Sequence, residues 1–204
     1  MPDMSKRKRS RVDWEKLEAP TAEQLESELK SMKYKHRFRK ILRNTLLTLV
    51  VVVAISVIVA MMFMPVLQIS GQSMSETLMS DDIVLAFSKV KCETGDVAAF
   101  YFNNNILVKR VIARSGQWVD IDDEGNVFVD GAQLDEPYIN EKAFGDCNIE
   151  LPYQVPDGRL FVMGDHRSTS IDSRNTIIGC IAEEMLVGKV AYRIWPLNSM
   201  GRID

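Results

Sequence analysis

The stretch Val97-Ala98-Ala99-Phe100-Tyr101-Phe102-Asn103-Asn104-Asn105-Ile106-Leu107-Val108 sets two short apolar runs on either side of an asparagine triplet. Short apolar runs bounded by turn formers read as strands. The same texture continues outward in both directions. Upstream, Ile83-Val84-Leu85-Ala86-Phe87 follows Ser80-Asp81-Asp82, and Thr94-Gly95-Asp96 precedes the quoted stretch. Downstream, Asp123-Glu124-Gly125-Asn126 divides Trp118–Ile121 from Val127–Val129 as the turn of a hairpin, and Asp130-Gly131 marks a further turn. Residues 66–204 are numerous enough for one sizeable core. The expected fold is mainly β: a mostly antiparallel domain with little helix, carrying an inserted β-hairpin subdomain at about residues 115–160. No repeat or low-complexity tract interrupts it.

Ahead of this domain, residues 44–65 read NTLLTLVVVVAISVIVAMMFMP, without a charge. About 20 apolar residues rising 1.5 Å each span the roughly 30 Å hydrocarbon core of a bilayer. Buried helices of soluble proteins rarely run so long without a charge, so the segment is expected to be a single transmembrane helix. A cleavable signal peptide fits less well, because more than 40 residues precede the apolar stretch.

Flanking charge gives a direction. Lys30, Lys33, Lys35, Arg37, Arg39, Lys40 and Arg43 precede the span, and no acid occurs between Glu28 and Glu76. By the positive-inside rule the N-terminal tail, residues 1–43, is cytoplasmic and residues 66–204 are extracytoplasmic. The overall net charge of −3 hides this asymmetry: residues 1–65 hold 13 basic and 7 acidic side chains, residues 66–204 hold 12 and 21. The basic run at residues 6–11 reads as anionic-lipid contact or plain solvation in preference to nucleic-acid binding. Pro20-Thr21 followed by Gln24 resembles a capping box that opens a helix through Leu25, Leu29 and Met32.

Three cysteines, Cys92, Cys147 and Cys180, fall in the outer domain without Cys-x-x-Cys spacing. One disulfide and three buried thiols are both open readings. With only His36 and His166 in the chain, no metal site and no cofactor is expected.

Ser73 stands just beyond the span, where a globular protein has little reason to place a nucleophile. A serine hydroxyl needs a base. His166 beside Asp165 offers a triad, although sequence neighbours seldom orient one another well. Lys109 offers a lysine base, competent only if burial lowers its pKa. Strand neighbours point to opposite faces, so Lys109 and Arg110 cannot both face one core: one is expected buried, the other at solvent or at an acid. On local pattern alone, two charges guarding an edge strand is the simpler reading.

Several motifs together change that balance. Ser70-Gly71-Gln72-Ser73-Met74-Ser75-Glu76-Thr77-Leu78, then Asp82-Ile83-Val84, resembles the nucleophile box of bacterial type I signal peptidases. Val108-Lys109-Arg110-Val111-Ile112-Ala113 resembles the lysine box of that family. Gly164-Asp165-His166-Arg167-Ser168-Thr169-Ser170-Ile171-Asp172-Ser173-Arg174 resembles its third box, followed by Gly179 and Val187-Gly188-Lys189-Val190. Residues 127–138 are also similar, and the whole resemblance runs over residues 66–192 in the family's order.

The resemblance implies a membrane-anchored serine endopeptidase that removes signal peptides from exported preproteins through an acyl-enzyme. Ser73 is the implied nucleophile, Lys109 the base and Ser170 its orienting partner. Asp172 and Arg174 are the implied structural ion pair, with Arg110 a further support. In an extended segment Ser170, Asp172 and Arg174 share one face. The substrate is expected to add as a strand beside Ile69 and Val108, with small residues at its first and third positions before the cut. Met74 and Leu78 are read as lining those pockets or as core. Signal peptides, membrane lipid and the protein-export machinery are the implied partners, at the plasma membrane, with no nucleic acid. Two alternatives stand: a catalytically silent β module that binds exported chains, and a serine–lysine protease with a regulatory substrate.

The chain departs from the family in four places. Glu76 stands where proline is usual and His166 where asparagine is more usual. Ala113-Arg114-Ser115-Gly116-Gln117 replaces a pattern with glycine first and Gly-Asp last. Gly71 stands where some members carry a serine that donates to the oxyanion, which leaves the Ser73 N–H as the donor that carries over.

Overall fold

The computed structural model describes residues 21–203. The basic run at residues 6–11 lies outside them. The first element is α1 (Ala22–Phe63). Its start is the capping box read from sequence: the Gln24 N–H donates to Thr21 Oγ1 (3.4 Å) and the Thr21 N–H to Gln24 Oε1 (3.1 Å). No glycine or proline interrupts the helix, and Pro65 follows its end. None of its residues is buried, the opposite of a soluble core helix. Its length and composition suffice to cross a membrane.

The strands, in chain order, are β1 (Val66–Gln68), β2 (Ile83–Phe87), β3 (Val97–Phe102), β4 (Asn105–Arg114), β5 (Trp118–Ile121), β6 (Val127–Val129), β7 (Ala132–Gln133), β8 (Tyr153–Gln154), β9 (Arg159–Met163), β10 (Ile181–Ala182), β11 (Leu186–Trp195) and β12 (Gly201–Arg202). The main sheet has the order β1-β2-β11-β3-β4-β9-β10, with β12 pairing β11. Every pairing is antiparallel. A second sheet, β7-β6-β5-β8, is inserted between β4 and β9.

Local chemistry explains the joints. β3 and β4 are joined at Asn103 and Asn104, both at positive φ (45° and 65°), the geometry that a two-residue hairpin turn requires and that asparagine tolerates. β5 and β6 are joined through Asp122, whose carboxylate accepts from the Glu124 and Asn126 N–H groups. Asp130-Gly131, both at positive φ, make the next turn.

Alternation along β3 and β4 sorts the core. Val97, Ala99 and Val108 pack on one face with Ile69, Met74, Leu78 and Val84. Ala98, Phe100, Leu107 and Val111 pack on the other with Leu160, Val162 and Ile181. Lys109 and Arg110 therefore lie on opposite faces, as expected. Arg110 reaches an acid, Asp165, as one of the two was expected to, and both side chains are buried: Lys109 is 4% and Arg110 0% exposed. This sheet is covered on both sides, so a strand neighbour has no solvent face to turn to.

Candidate active site

Four segments build the site. The loop after β1 carries Ser73, half-buried; β4 carries Lys109 and Arg110; the loop after β9 carries residues 164–175; and the inserted segment supplies residues 136–146. The loops are tied at short range. The His166 N–H donates to the Ser73 carbonyl (3.1 Å), and the Ser170 N–H donates to the His166 carbonyl (3.1 Å). Gly164 makes this approach possible: a Cβ there would overlap the Ser170 hydroxyl and the Ser73 carbonyl oxygen.

Ser73 and Lys109 line one cleft of about 250 Å³, together with Ile69, Met74, Ile106 and Val108. They share it without a hydrogen bond to each other. The Lys109 ammonium donates to Ser170 Oγ at 2.9 Å. Ser170 in turn hydrogen-bonds the Asp172 carboxylate. Leu78 does not reach the cleft; it is fully buried in the core against Val84 and Ala86. Ile69 and Met74, at 5% and 2% exposed, serve both core and cleft floor.

The segment from Ser170 to Arg174 is a turn, not the extended run expected, and is closed by the Asn175 N–H donating to the Asp172 carbonyl (2.9 Å). Asp172 and Arg174 nonetheless form a fully buried bidentate pair, Nε to Oδ1 and Nη2 to Oδ2, both 2.9 Å. Bending satisfies what a strand would not, because Arg174 also donates to the Phe144 and Arg167 carbonyls. Burial alone pushes the Asp172 carboxyl up, but the Arg174 hydrogen bonds and charge outweigh it and hold it below the usual carboxylate range.

Asp165 is not oriented toward His166. It accepts from Arg110 Nε (2.9 Å), Arg110 Nη2 (2.8 Å) and Thr77 Oγ1 (2.5 Å). The His166 ring contacts Thr169 Oγ1 instead (2.6 Å). Asp165 is therefore not the orienting acid of a Ser-His-Asp arrangement.

Sequence reading missed a third pair. Arg167 and Glu136, both buried, are bonded across 31 residues, and Tyr138 donates to Glu136 (3.0 Å) while its ring lies 3.7 Å under the Arg110 guanidinium. The only available signal was an arginine in the third box and an acid in the similar stretch 127–138, with nothing to join them. The site thus holds three buried arginines, each with its own carboxylate. Lys109 is a fourth cation, with no ion-pair partner among the described residues. Burial, opposed by Asp172 and reinforced by Arg174, lowers its amine from 10.5 to about 8. A neutral amine is accessible near physiological pH, which a base requires.

Breaking one of these pairs is costly. Asp165→Asn leaves Arg110 buried without its counter-ion and should destabilise the domain by about 3–5 kcal/mol, read as a lowered denaturation midpoint. An unchanged midpoint would show the pair to be energetically idle.

Glu76 sits at φ 86°, a conformation that proline cannot adopt. The loop after Ser73 therefore follows a path closed to the residue more usual there. Cys92, Cys147 and Cys180 are free thiols, Cys92 and Cys180 buried.

Comparison with known proteins adds a family. A family model described as "Signal peptidase, peptidase S26" matches residues 42–195. Signal peptidase IB of Staphylococcus aureus is 31% identical over 180 residues, covering 78% of this chain and 93% of that protein. Signal peptidase I T of Bacillus subtilis is 38% identical over 100 residues, covering 46% and 51%. A crystal structure of a signal peptidase I from Enterococcus faecalis aligns with a TM-score of 0.43 at 25% identity, covering 50% of this chain and 98% of that one.

Proposed function

Because the chain belongs to the signal peptidases of family S26, and is accordingly a serine endopeptidase, we propose that it cleaves signal peptides with a Ser73–Lys109 dyad. The observation that carries this reading is the one cleft lined by Ser73 and by the only buried cation of the site without a carboxylate of its own.

Two strand edges border the cleft. β1 ends the main sheet, and β4 pairs β9 only from Arg110 onward, so residues 105–109 keep one edge open. A signal peptide adds between them as an extended strand, its small side chains in the shallow pockets floored by Ile69, Met74 and Val108. Neutral Lys109 takes the proton from Ser73 Oγ as the oxygen attacks the scissile carbonyl. The Ser73 N–H, which donates to no backbone carbonyl among the described residues, receives the oxyanion. The C–N bond breaks, Lys109 returns the proton to the departing amine, and an ester on Ser73 remains. Water, losing a proton to Lys109, releases the signal peptide and restores the serine.

Ser170 is a positioning residue in this scheme: its hydroxyl accepts from Lys109 and ties the amine to Asp172. The apolar part of α1 anchors the enzyme, the basic tail 1–43 faces the cytoplasm, and residues 66–204 work outside. Lipid surrounds the anchor, and the export machinery delivers the substrate. The Ser88 N–H bonds the Phe63 carbonyl (3.0 Å), which ties the end of the helix to the β domain.

The reading is tested with purified full-length protein and a preprotein, by sequencing the new N-terminus. Cleavage after a small residue at the end of the signal peptide is expected. His166→Ala should keep turnover within about threefold, because the backbone of His166, not its ring, holds the Ser73 loop. A collapse of turnover in that variant would reinstate the histidine as base.

A further inference from the structure

Lys109 borders two cavities, not one. Beside the Ser73 cleft it lines a trough of about 420 Å³ walled by Phe102, Leu107, Ile171, Ile177 and Ile178. Two of these walls are open to solvent, Ile171 at 48% and Ile177 at 67% exposed. Both belong to the loop that carries Ser170 and Asp172, so the apolar wall and the support of the base are one segment.

The route of a substrate past Ser73 is constrained. A strand lying between β1 and residues 105–109 cannot continue along β4, because β9 takes that edge from the Arg110–Met163 pair onward. Gly164 already abuts the Ser73 carbonyl. On the Arg110 face the space is filled by Thr77, Asp165 and the Tyr138 ring. On the Lys109 face the trough is open. The departing amine must also pass Lys109 to collect its proton.

We propose that the trough is the subsite for the first residues after the scissile bond, taking an apolar side chain of the mature protein against Ile171 and Ile177. This rests on the reading of Ser73 and Lys109 as the dyad. The occupant is continuous with the peptide in the Ser73 cleft, and specificity extends beyond the small residues that precede the cut. Asparagine at the same position places an unpaired amide against two isoleucines and is disfavoured.

The test uses the full chain and peptides identical before the cut, with leucine or asparagine at the first two positions after it. The wild type should prefer leucine in kcat/KM by roughly 10- to 100-fold. Ile177→Asn, and separately Ile171→Asn, should erase that preference. The rate at which a serine-acylating ester lacking any residue after the cut labels Ser73 should not move. The inference is overturned by a wild type indifferent to these positions, by variants that keep the preference, or by equal losses in cleavage and labelling. It is also overturned by a loss seen in lipid vesicles and absent in detergent, which would assign the trough to the bilayer. Absence of Ser73 labelling in the wild type strikes the dyad reading itself, and is thereby distinguishable.

Discussion

Ser73→Ala should lower preprotein cleavage by about 10⁴- to 10⁶-fold, because the reaction then loses its covalent route and retains only binding and oxyanion stabilisation. The side chain is half-buried and makes no hydrogen bond to Lys109, so the loss should come without unfolding. Its structural tie runs through the main chain, where the Ser73 carbonyl accepts from the His166 N–H. Alanine preserves that bond. The measurements are the cleavage rate and the denaturation midpoint of the same preparation: the first collapses and the second holds. Turnover within tenfold of wild type would remove Ser73 from the chemistry.

Lys109→Met separates activity from stability more sharply, because the two are expected to move in opposite directions. Activity falls as far as in Ser73→Ala, and the double variant is no worse than either single one, since the residues act as a unit. Stability rises. The folded-state amine ionises near pH 8, against an unfolded value near 10.5. Between these values the unfolded chain binds more protons, so the lysine makes stability increase with pH across that window. Below pH 8 the folded protein carries the full cost of a buried cation, on the order of 3 kcal/mol. Methionine has similar length and no charge, and removes that cost while losing one hydrogen bond to Ser170. A net gain of 1–2 kcal/mol corresponds to a midpoint raised by roughly 3–8 °C at pH 7, shrinking toward zero above pH 10. A lowered midpoint at pH 7 would mean that the amine is stabilised in place, and so is no base.

Much of this architecture is legible in the sequence because it rests on local chemistry. Ile83–Phe87 and Val97–Phe102 are strands with the bounds read from their flanking turn formers. The capping box at Thr21 and the hairpin turn at Asp122–Asn126 likewise involve residues within four positions of one another. What escaped was long-range. Lys109 and Arg110 are both buried because two separate cores cover the two faces of β4, and alternation along one strand carries no information about what covers it. Arg167 finds Glu136 across the inserted sheet, a meeting that no spacing rule anticipates. Ser170, Asp172 and Arg174 do converge, but through a turn whose hydrogen bonds go to carbonyls at 144 and 167. Leu78 follows the nucleophile motif closely yet faces inward, because the Leu78 N–H closes a turn on the Met74 carbonyl (2.7 Å).

Burial makes the lysine neutral, against Asp172 and Asp165, which favour its charged form, and with Arg174, which opposes it. Arg110, Arg167 and Arg174 surround the site with permanent charge, and each is matched by a carboxylate held at hydrogen-bond distance. Removing any one carboxylate leaves an unmatched guanidinium, and removing Arg174 takes away a charge that lowers the Lys109 pKa while leaving Asp172 to raise it. The Asp172–Arg174 pair therefore acts on the Lys109 amine as well as on the fold.

Activation of Ser73 by Lys109 is read out by the rate of covalent labelling of Ser73 by a serine-acylating ester as a function of pH. Peptide mapping should place the adduct on Ser73, with a labelling rate that climbs through a single ionisation near pH 8 and is unchanged in His166→Ala. An adduct elsewhere, or a pH dependence that disappears in His166→Ala, would contradict it.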